Sequence, residues 1–158
     1  MKMNLKKTVK DYVARPLFEA IKVDTFSRPS LNNLDEKLEK YLNFDKGVFL
    51  EIGANDGFKQ SNTYYYERIR NWKGVLIEPI PILFEKCKKL RNRSEVFNYI
   101  CSEPEYSGTC KTIRFADLMS QVSGTLDHKN DEERHINRGK EIQKIDKSFE
   151  VEVECLTL

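Results

Sequence analysis

A chain of 158 residues with 39% hydrophobic content is of single-domain length and can bury one core. Its 27 lysines and arginines nearly balance 25 aspartates and glutamates, which excludes the one-signed field of a nucleic-acid or acidic-polymer binder. Cys87, Cys101, Cys110 and Cys155 form no C-x-x-C pair and have only His128 and His135 as soft companions, so no metal site is expected, and free thiols in a reducing, cytoplasmic setting are.

Residues 1–29 read as an N-terminal helical extension, with Leu5, Val9, Tyr12 and Val13 on one face, lysines on the other, and a break expected near Arg15-Pro16. No apolar run follows the lysines to serve as a signal-peptide core, and no stretch approaches membrane-spanning length. A basic amphipathic face of this kind more often packs on its own domain or a partner than on an anionic membrane. After a connector ending at Ser30, residues 30–158 read as one α/β domain. Leu31, Leu34, Leu38, Tyr41 and Leu42 predict a helix capped by Ser30 that covers one sheet face, with Asp35 to Lys40 solvated.

Val48 to Ile52 predicts a buried parallel strand, Gly53-Ala-Asn-Asp-Gly57 a turn, and Tyr65, Ile69 and Trp72 the inward face of a helix capped by Ser61 or Asn62. Val75 to Ile77 is a second strand. Pro81 opens a helix with the apolar stripe Leu83, Cys87 and Leu90, and with Lys86, Lys88, Lys89, Arg91 and Arg93 on its outer side as an ordinary solvated run. Val96 to Cys101 completes β-α-β-α-β, the order of a doubly wound sheet. Beyond it, Thr109 to Phe115 predicts a strand, Ser120 to Asn130 a loop, and Asp131 to Lys144 a polar helix or disordered arm. The strict alternation from Phe149 to Cys155 predicts a half-buried strand, paired with Thr109 to Phe115 as an antiparallel ribbon.

The chemistry is expected at the glycine turn, where amide N–H groups at a helix start can receive a ligand. Dinucleotide sites use G-x-G-x-x-G there, whereas this turn reads Glu51-x-Gly53-x-Asn55-Asp56-Gly57. Its carboxylates would repel a pyrophosphate and attract a ligand carrying sulfonium and ammonium groups, which favours S-adenosylmethionine. Glu78, closing the second strand, can accept both ribose hydroxyls; a first-turn helix acid is its plainer role.

Phe49 to Gly57, Ser61-Asn-Thr63, Trp72 to Pro79 and Asn98 to Ser102 together resemble the amino-terminal part of FkbM-type methyltransferases. The resemblance implies a Rossmann-like class I fold that methylates hydroxyl groups on sugars or other small molecules with S-adenosylmethionine. It implies that Glu51, Gly53, Ala54, Asn55, Asp56 and Gly57 lie under the methionine moiety and that Glu78 holds the ribose. Pro79 and Ile80 would flank the adenine and Ile100 and Cys101 close its other side, while Ser61 and Asn62 contact the ligand or cap the helix. The family continues into a further core strand with an Asp-Val-Glu-Gly-type motif; this sequence has none, so a truncated sheet of three parallel strands is expected, with a missing carboxyl-terminal portion or a homo-oligomer in its place.

A hydroxyl acceptor needs a base, and His135 is the best candidate, although a lone histidine in a polar helix is more often a surface residue. Asp127 and His128 would line the acceptor entrance or merely solvate a loop. In Tyr64-Tyr-Tyr66, Tyr65 belongs in the core and one neighbour could reach the site. Two other function classes fit less well: a non-catalytic module that assembles with another chain, and a nicotinamide-dependent oxidoreductase, which Asp56 disfavours.

Overall fold

The computed structural model describes residues 9–126, 128–146 and 148–158, so Leu5 of the N-terminal face and Asp127 of the acceptor loop lie outside the described residues. The N-terminal helix does not break at Arg15-Pro16. A π-helical turn, Lys10–Ala14, runs directly into α1 (Arg15–Ala20). Pro16, which has no N–H to donate, falls where the ladder changes register, just after the Arg15 N–H bonds the Lys10 carbonyl. Glu19 on α1 accepts hydroxyl hydrogens from Tyr64 at 2.8 Å and Ser27 at 2.9 Å, and the Arg15 guanidinium lies 4.1 Å from the Phe58 ring centre. Polar and cation–aromatic contacts therefore dock this segment, while Tyr12 and Val13 of its apolar face stay exposed.

The helix expected from Leu31 is shorter, because Asn32 and Asn33 adopt left-handed φ of 54° and break a 3-10 turn from α2 (Leu34–Glu39). Contrary to expectation, Ser30 does not cap the turn that follows it; its hydroxyl reaches five residues on to accept the Asp35 N–H in the first turn of α2, at 2.9 Å. Asp35 itself is buried rather than solvated. Leu38 and Leu42 pack with Phe49 and Ile69 against Tyr65, Tyr66 and Trp72.

A parallel sheet of β1 (Val48–Ile52), β2 (Lys73–Ile77) and β3 (Glu95–Phe97), in the order β1-β2-β3, forms the first half of the molecule. The helices α3 (Tyr64–Arg68) and α4 (Pro81–Leu90) make its crossovers. This is the Rossmann-like α/β arrangement read from the sequence. One expectation fails: β1 is not buried on both faces, since Val48, Leu50 and Ile52 are 81%, 51% and 57% exposed. β1 pairs only with β2, and no described helix covers that face.

The expected third strand also splits. After Phe97 the Asn98 side chain donates to the Glu78 and Pro79 carbonyls, both at 2.8 Å, and the chain leaves the first sheet to form β4 (Ile100–Cys101) in a second one. That sheet has the order β4-β7-β5-β6, with β5 (Cys110–Arg114), β6 (Gln121–Val122) and β7 (Glu150–Leu156). β5 and β7 pair antiparallel, as the alternation predicted, whereas β6 lies in a stretch expected to be loop. Val153 and Cys155 lie in a core with Ile80, Leu83, Ile100 and Ile113, which packs the second sheet against the start of α4. The polar helix is ordered as α5 (Lys129–Gln143). No described helix is long and apolar enough to cross a membrane, and no described cluster of His, Cys, Asp and Glu could hold a metal ion.

Glu39 ties α2 to its surroundings, meeting Arg28 and Arg70 at 2.6 Å each and accepting from the Tyr65 hydroxyl. Burial pushes its carboxyl up, but the bonds from Tyr65, Arg70 and Arg28 outweigh that and lower it from 4.5 to about 2. A depressed carboxyl stabilises the fold above its unfolded value, and the contribution is lost as pH falls from about 4.5 toward 2. Urea unfolding should find Glu39→Gln less stable by about 2 kcal/mol at pH 7, with the gap closing toward pH 2; a gap that stays constant with pH would remove this role.

Candidate functional site

The turn after β1 closes upon itself. Gly53 and Ala54 N–H donate to the Ile77 carbonyl, Asn55 N–H to Glu78 Oε2 at 2.7 Å, and Asp56 N–H to the Asn55 side chain. Gly57 N–H donates to the Ala54 carbonyl, and Phe58 and Lys59 N–H both donate to Asp56 Oδ1. At the start of α3, Asn62 N–H goes to Glu51 and the N–H groups of Thr63 and Tyr64 go to Ser61 Oγ. Ser61 is thus the helix cap. Every backbone donor from Gly53 to Lys59 is spent inside the chain, contrary to the expectation of amides open to a ligand.

Glu78 meets the turn as its position required. Its second oxygen accepts the Ile80 N–H at 2.9 Å, and the residue is 4% exposed. Burial raises its carboxyl above the ordinary range, the Ile80 and Asn55 N–H groups pull the other way, and nearby Asp117 and Asp56 add to the rise.

Glu51 is not a free acid. Its carboxylate accepts from Ser61, Asn62 and Thr63 and lies 3.3 Å from Arg91 Nη1. Arg91, expected on a solvated face, is fully buried. It pairs with buried Glu67 at 2.9 Å and donates to the Gly57 carbonyl and Ser61 at 3.1 Å and to Thr63 at 2.8 Å. Gly57 is required here: its φ is +82°, and a Cβ would lie 2.8 Å from Arg91 Cγ and 3.1 Å from the Cys87 backbone. Burial pushes the Cys87 thiol below it up to about 12, so this is a packing cysteine.

Asp117, in the 3-10 turn between β5 and β6, and Gln143 of α5 meet the turn, which the sequence did not reveal. Asp117 Oδ1 accepts from the Asn55 side chain at 3.1 Å, and Lys59 Nζ lies 2.6 Å from Asp117 Oδ2 and 3.0 Å from Gln143 Oε1. His135 is close by but already bonded, its Nε2 donating to the Met119 carbonyl at 3.1 Å. His128 caps α5 with an exposed side chain. All three tyrosines of 64–66 are core residues: the hydroxyls of Tyr64 and Tyr66 bond Glu19 and the Asp35 carbonyl, and the Tyr64 ring packs edge-on against Phe58, next to the turn.

Of the remaining expected site residues, Pro79 and Ile80 flank Glu78 beside the turn, the Ile80 N–H bonding its carboxylate. Ile80 and Ile100 are buried together in the core of the second sheet, and Pro79 is half-buried. Cys101 and Ile100 line a separate cavity of about 550 Å³ with Tyr106, Lys111, Val122 and Leu158.

No family model matches the sequence, and no curated protein sequence does. Among solved structures, the chain is similar to a SAM-dependent methyltransferase from Thiobacillus denitrificans in complex with S-adenosyl-L-homocysteine, at 13% identity and TM-score 0.37 over 65% of this chain and 41% of that one. A second, from Geobacter sulfurreducens with the same compound, matches at 14% identity and TM-score 0.36 over 56% and 39%. A TehB-like SAM-dependent methyltransferase from Corynebacterium glutamicum matches at 10% identity and TM-score 0.36 over 85% and 83%. The chain spans about two fifths of the length of the first two. At these scores the likenesses carry no functional weight.

Removing the Arg91 guanidinium leaves Glu67 charged, buried and unpaired, at a cost of about 3–5 kcal/mol. Denaturant unfolding of Arg91→Leu should show that loss; Arg91→Lys should recover little of it, since an ammonium cannot reproduce the guanidinium fork. A loss under about 1 kcal/mol for Arg91→Leu would mean that the cluster does not hold the turn.

Proposed function

We propose that this chain is the S-adenosylmethionine-binding part of a methyltransferase of the FkbM kind, acting in the cytoplasm on a hydroxyl of a sugar or another small molecule. One observation carries the reading: the turn beside Glu78 has no backbone N–H left to cradle a phosphate, and around it the carboxylates of Glu78, Asp56 and Asp117 outnumber the one ammonium, Lys59, already paired to Asp117. A dinucleotide needs the reverse, open amides and no acids.

The residues fit the methyl donor. Each Glu78 oxygen accepts one backbone N–H and keeps a lone pair for a ribose hydroxyl, and the carboxylate is fixed before a ligand arrives. Asn55, Asp56 and Asp117 would face the amino-acid moiety along the turn. The bound cofactor supplies a methyl group activated by its sulfonium. The task left to the protein is to align the acceptor oxygen and exclude water.

A second reading, a non-catalytic module that assembles with another chain, is favoured by β1, whose outer edge is unpaired and whose open face is apolar.

Calorimetric titration should show S-adenosylhomocysteine binding and NAD failing to bind. Glu78→Gln keeps one backbone acceptor but removes the charge, and it should weaken S-adenosylhomocysteine about tenfold, or 1.4 kcal/mol; NAD binding, or unchanged affinity in the variant, would refute the reading. Light scattering after size exclusion tests the second: a dimeric mass that Leu50→Lys returns to monomer supports it, and a monomeric wild type overturns self-assembly.

A further inference from the structure

We propose that Lys59 and Asp117 form a ligand-displaceable ion pair, in which the Asp117 carboxylate is the receptor for the ammonium group of the cofactor's amino-acid moiety and Lys59 occupies it until the ligand binds. This rests on the methyltransferase reading above and adds a specificity-determining residue to it.

The geometry has two halves. The Asn55 amide, on the turn, donates to Asp117 Oδ1 and so fixes the carboxylate over the place assigned to the methionine moiety. The other oxygen, Oδ2, faces an ammonium already: Lys59 Nζ, at 2.6 Å. Exchanging one ammonium for another leaves the charge balance unchanged. Lys59 also keeps a second acceptor, Gln143 Oε1, at 3.0 Å. The pair is only partly buried, with side chains 38% and 18% exposed, so solvent screens it and its release is easy. Asp117 and Asp56 both lie near the Glu78 carboxylate, which keeps the surroundings favourable to a cation.

The backbone around Asp117 is built to hold this carboxylate still. Asp117 has a left-handed φ of 55°, a conformation that disfavours most side chains but tolerates Asp and Asn. Ser120 Oγ accepts the Ala116 N–H at 3.0 Å and donates to the Asp117 carbonyl at 2.7 Å. On α5, a Cβ at Gly139 would come within 3.0 Å of both Ala116 and Met119, and His135 holds the Met119 carbonyl. The α5 helix thus clamps the segment from outside while Asn55 holds it from the turn.

Calorimetry with two probes separates this proposal from the reading beneath it. S-adenosylhomocysteine carries the ammonium; 5′-methylthioadenosine is the same nucleoside without an amino-acid tail. Lys59→Gln removes the competitor and should tighten S-adenosylhomocysteine about threefold. Asp117→Asn, chosen because Asn tolerates the same φ, should weaken it about tenfold. Neither variant should change 5′-methylthioadenosine. If both probes bind the wild type but their affinity ratio is the same in all three proteins, the proposal fails and the reading stands. Weaker S-adenosylhomocysteine binding in Lys59→Gln also overturns it, because Lys59 would then serve the ligand's carboxylate. If neither probe binds the wild type, the reading itself fails.

Discussion

The guanidinium of Arg91 is the fixed point of this molecule. Taking a guanidinium out of water costs several kcal/mol, and the cost is offset only when its donors are all used. Here each of its three nitrogens is bonded: Nε donates to Glu67, Nη2 to Thr63, and Nη1 is shared among Glu51, Ser61 and the Gly57 carbonyl. Those acceptors belong to the end of β1, the glycine turn and the region of α3, while Arg91 itself ends α4. Three segments separated in sequence are thereby locked to one cation. The turn cannot flex to release its amides without breaking that cluster, so its inability to cradle a phosphate is a property of the core.

A consequence follows for the charge of the site. Of the two acids that the sequence places at the turn, Glu51 is neutralised from beneath by Arg91 and bonded to the start of α3, so it adds little field above the turn. Asp56 spends one oxygen on the Phe58 and Lys59 N–H groups. The carboxylate that replaces Glu51 there is Asp117, from the 3-10 turn between β5 and β6. The acidic character inferred from the sequence therefore survives with one member exchanged, and the exchange makes the site depend on the β5–β6 connection as well as on the end of β1.

The pattern of legibility follows from the range of the interactions. β1, β2 and the turn between them were readable because apolar runs and positive-φ glycines are local signals, and the β5–β7 ribbon because strict alternation is. Arg91 was misread from its company, a run of lysines. Its position was nonetheless informative, since Leu83, Cys87 and Arg91 are spaced by four along α4 and its cap, which puts the arginine on the buried stripe. Asp117 has no such signal. Only the packing of α5 onto residues 116–119 brings it to Asn55, and nothing in Phe-Ala-Asp-Leu-Met announces that. The split of β3 from β4 was equally hidden, because it depends on Asn98 bonding two carbonyls rather than continuing the ladder.

The exposed face of β1 bears on both functional readings together. Apolar content shows how strongly a strand is driven to be covered, but it does not say by what, and here the described residues cover only the Phe49 side. In open parallel sheets the ligand crevice forms beyond the strand ends, where the strand order reverses. Among the described residues the order β1-β2-β3 contains no reversal, and the glycine turn follows directly from β1, the strand at the free edge. A strand paired with that edge would satisfy its open backbone groups, whereas burying Val48, Leu50 and Ile52 takes a layer packed on the face itself. The open edge and the open face of β1 are therefore two separate demands, one for backbone partners and one for apolar cover.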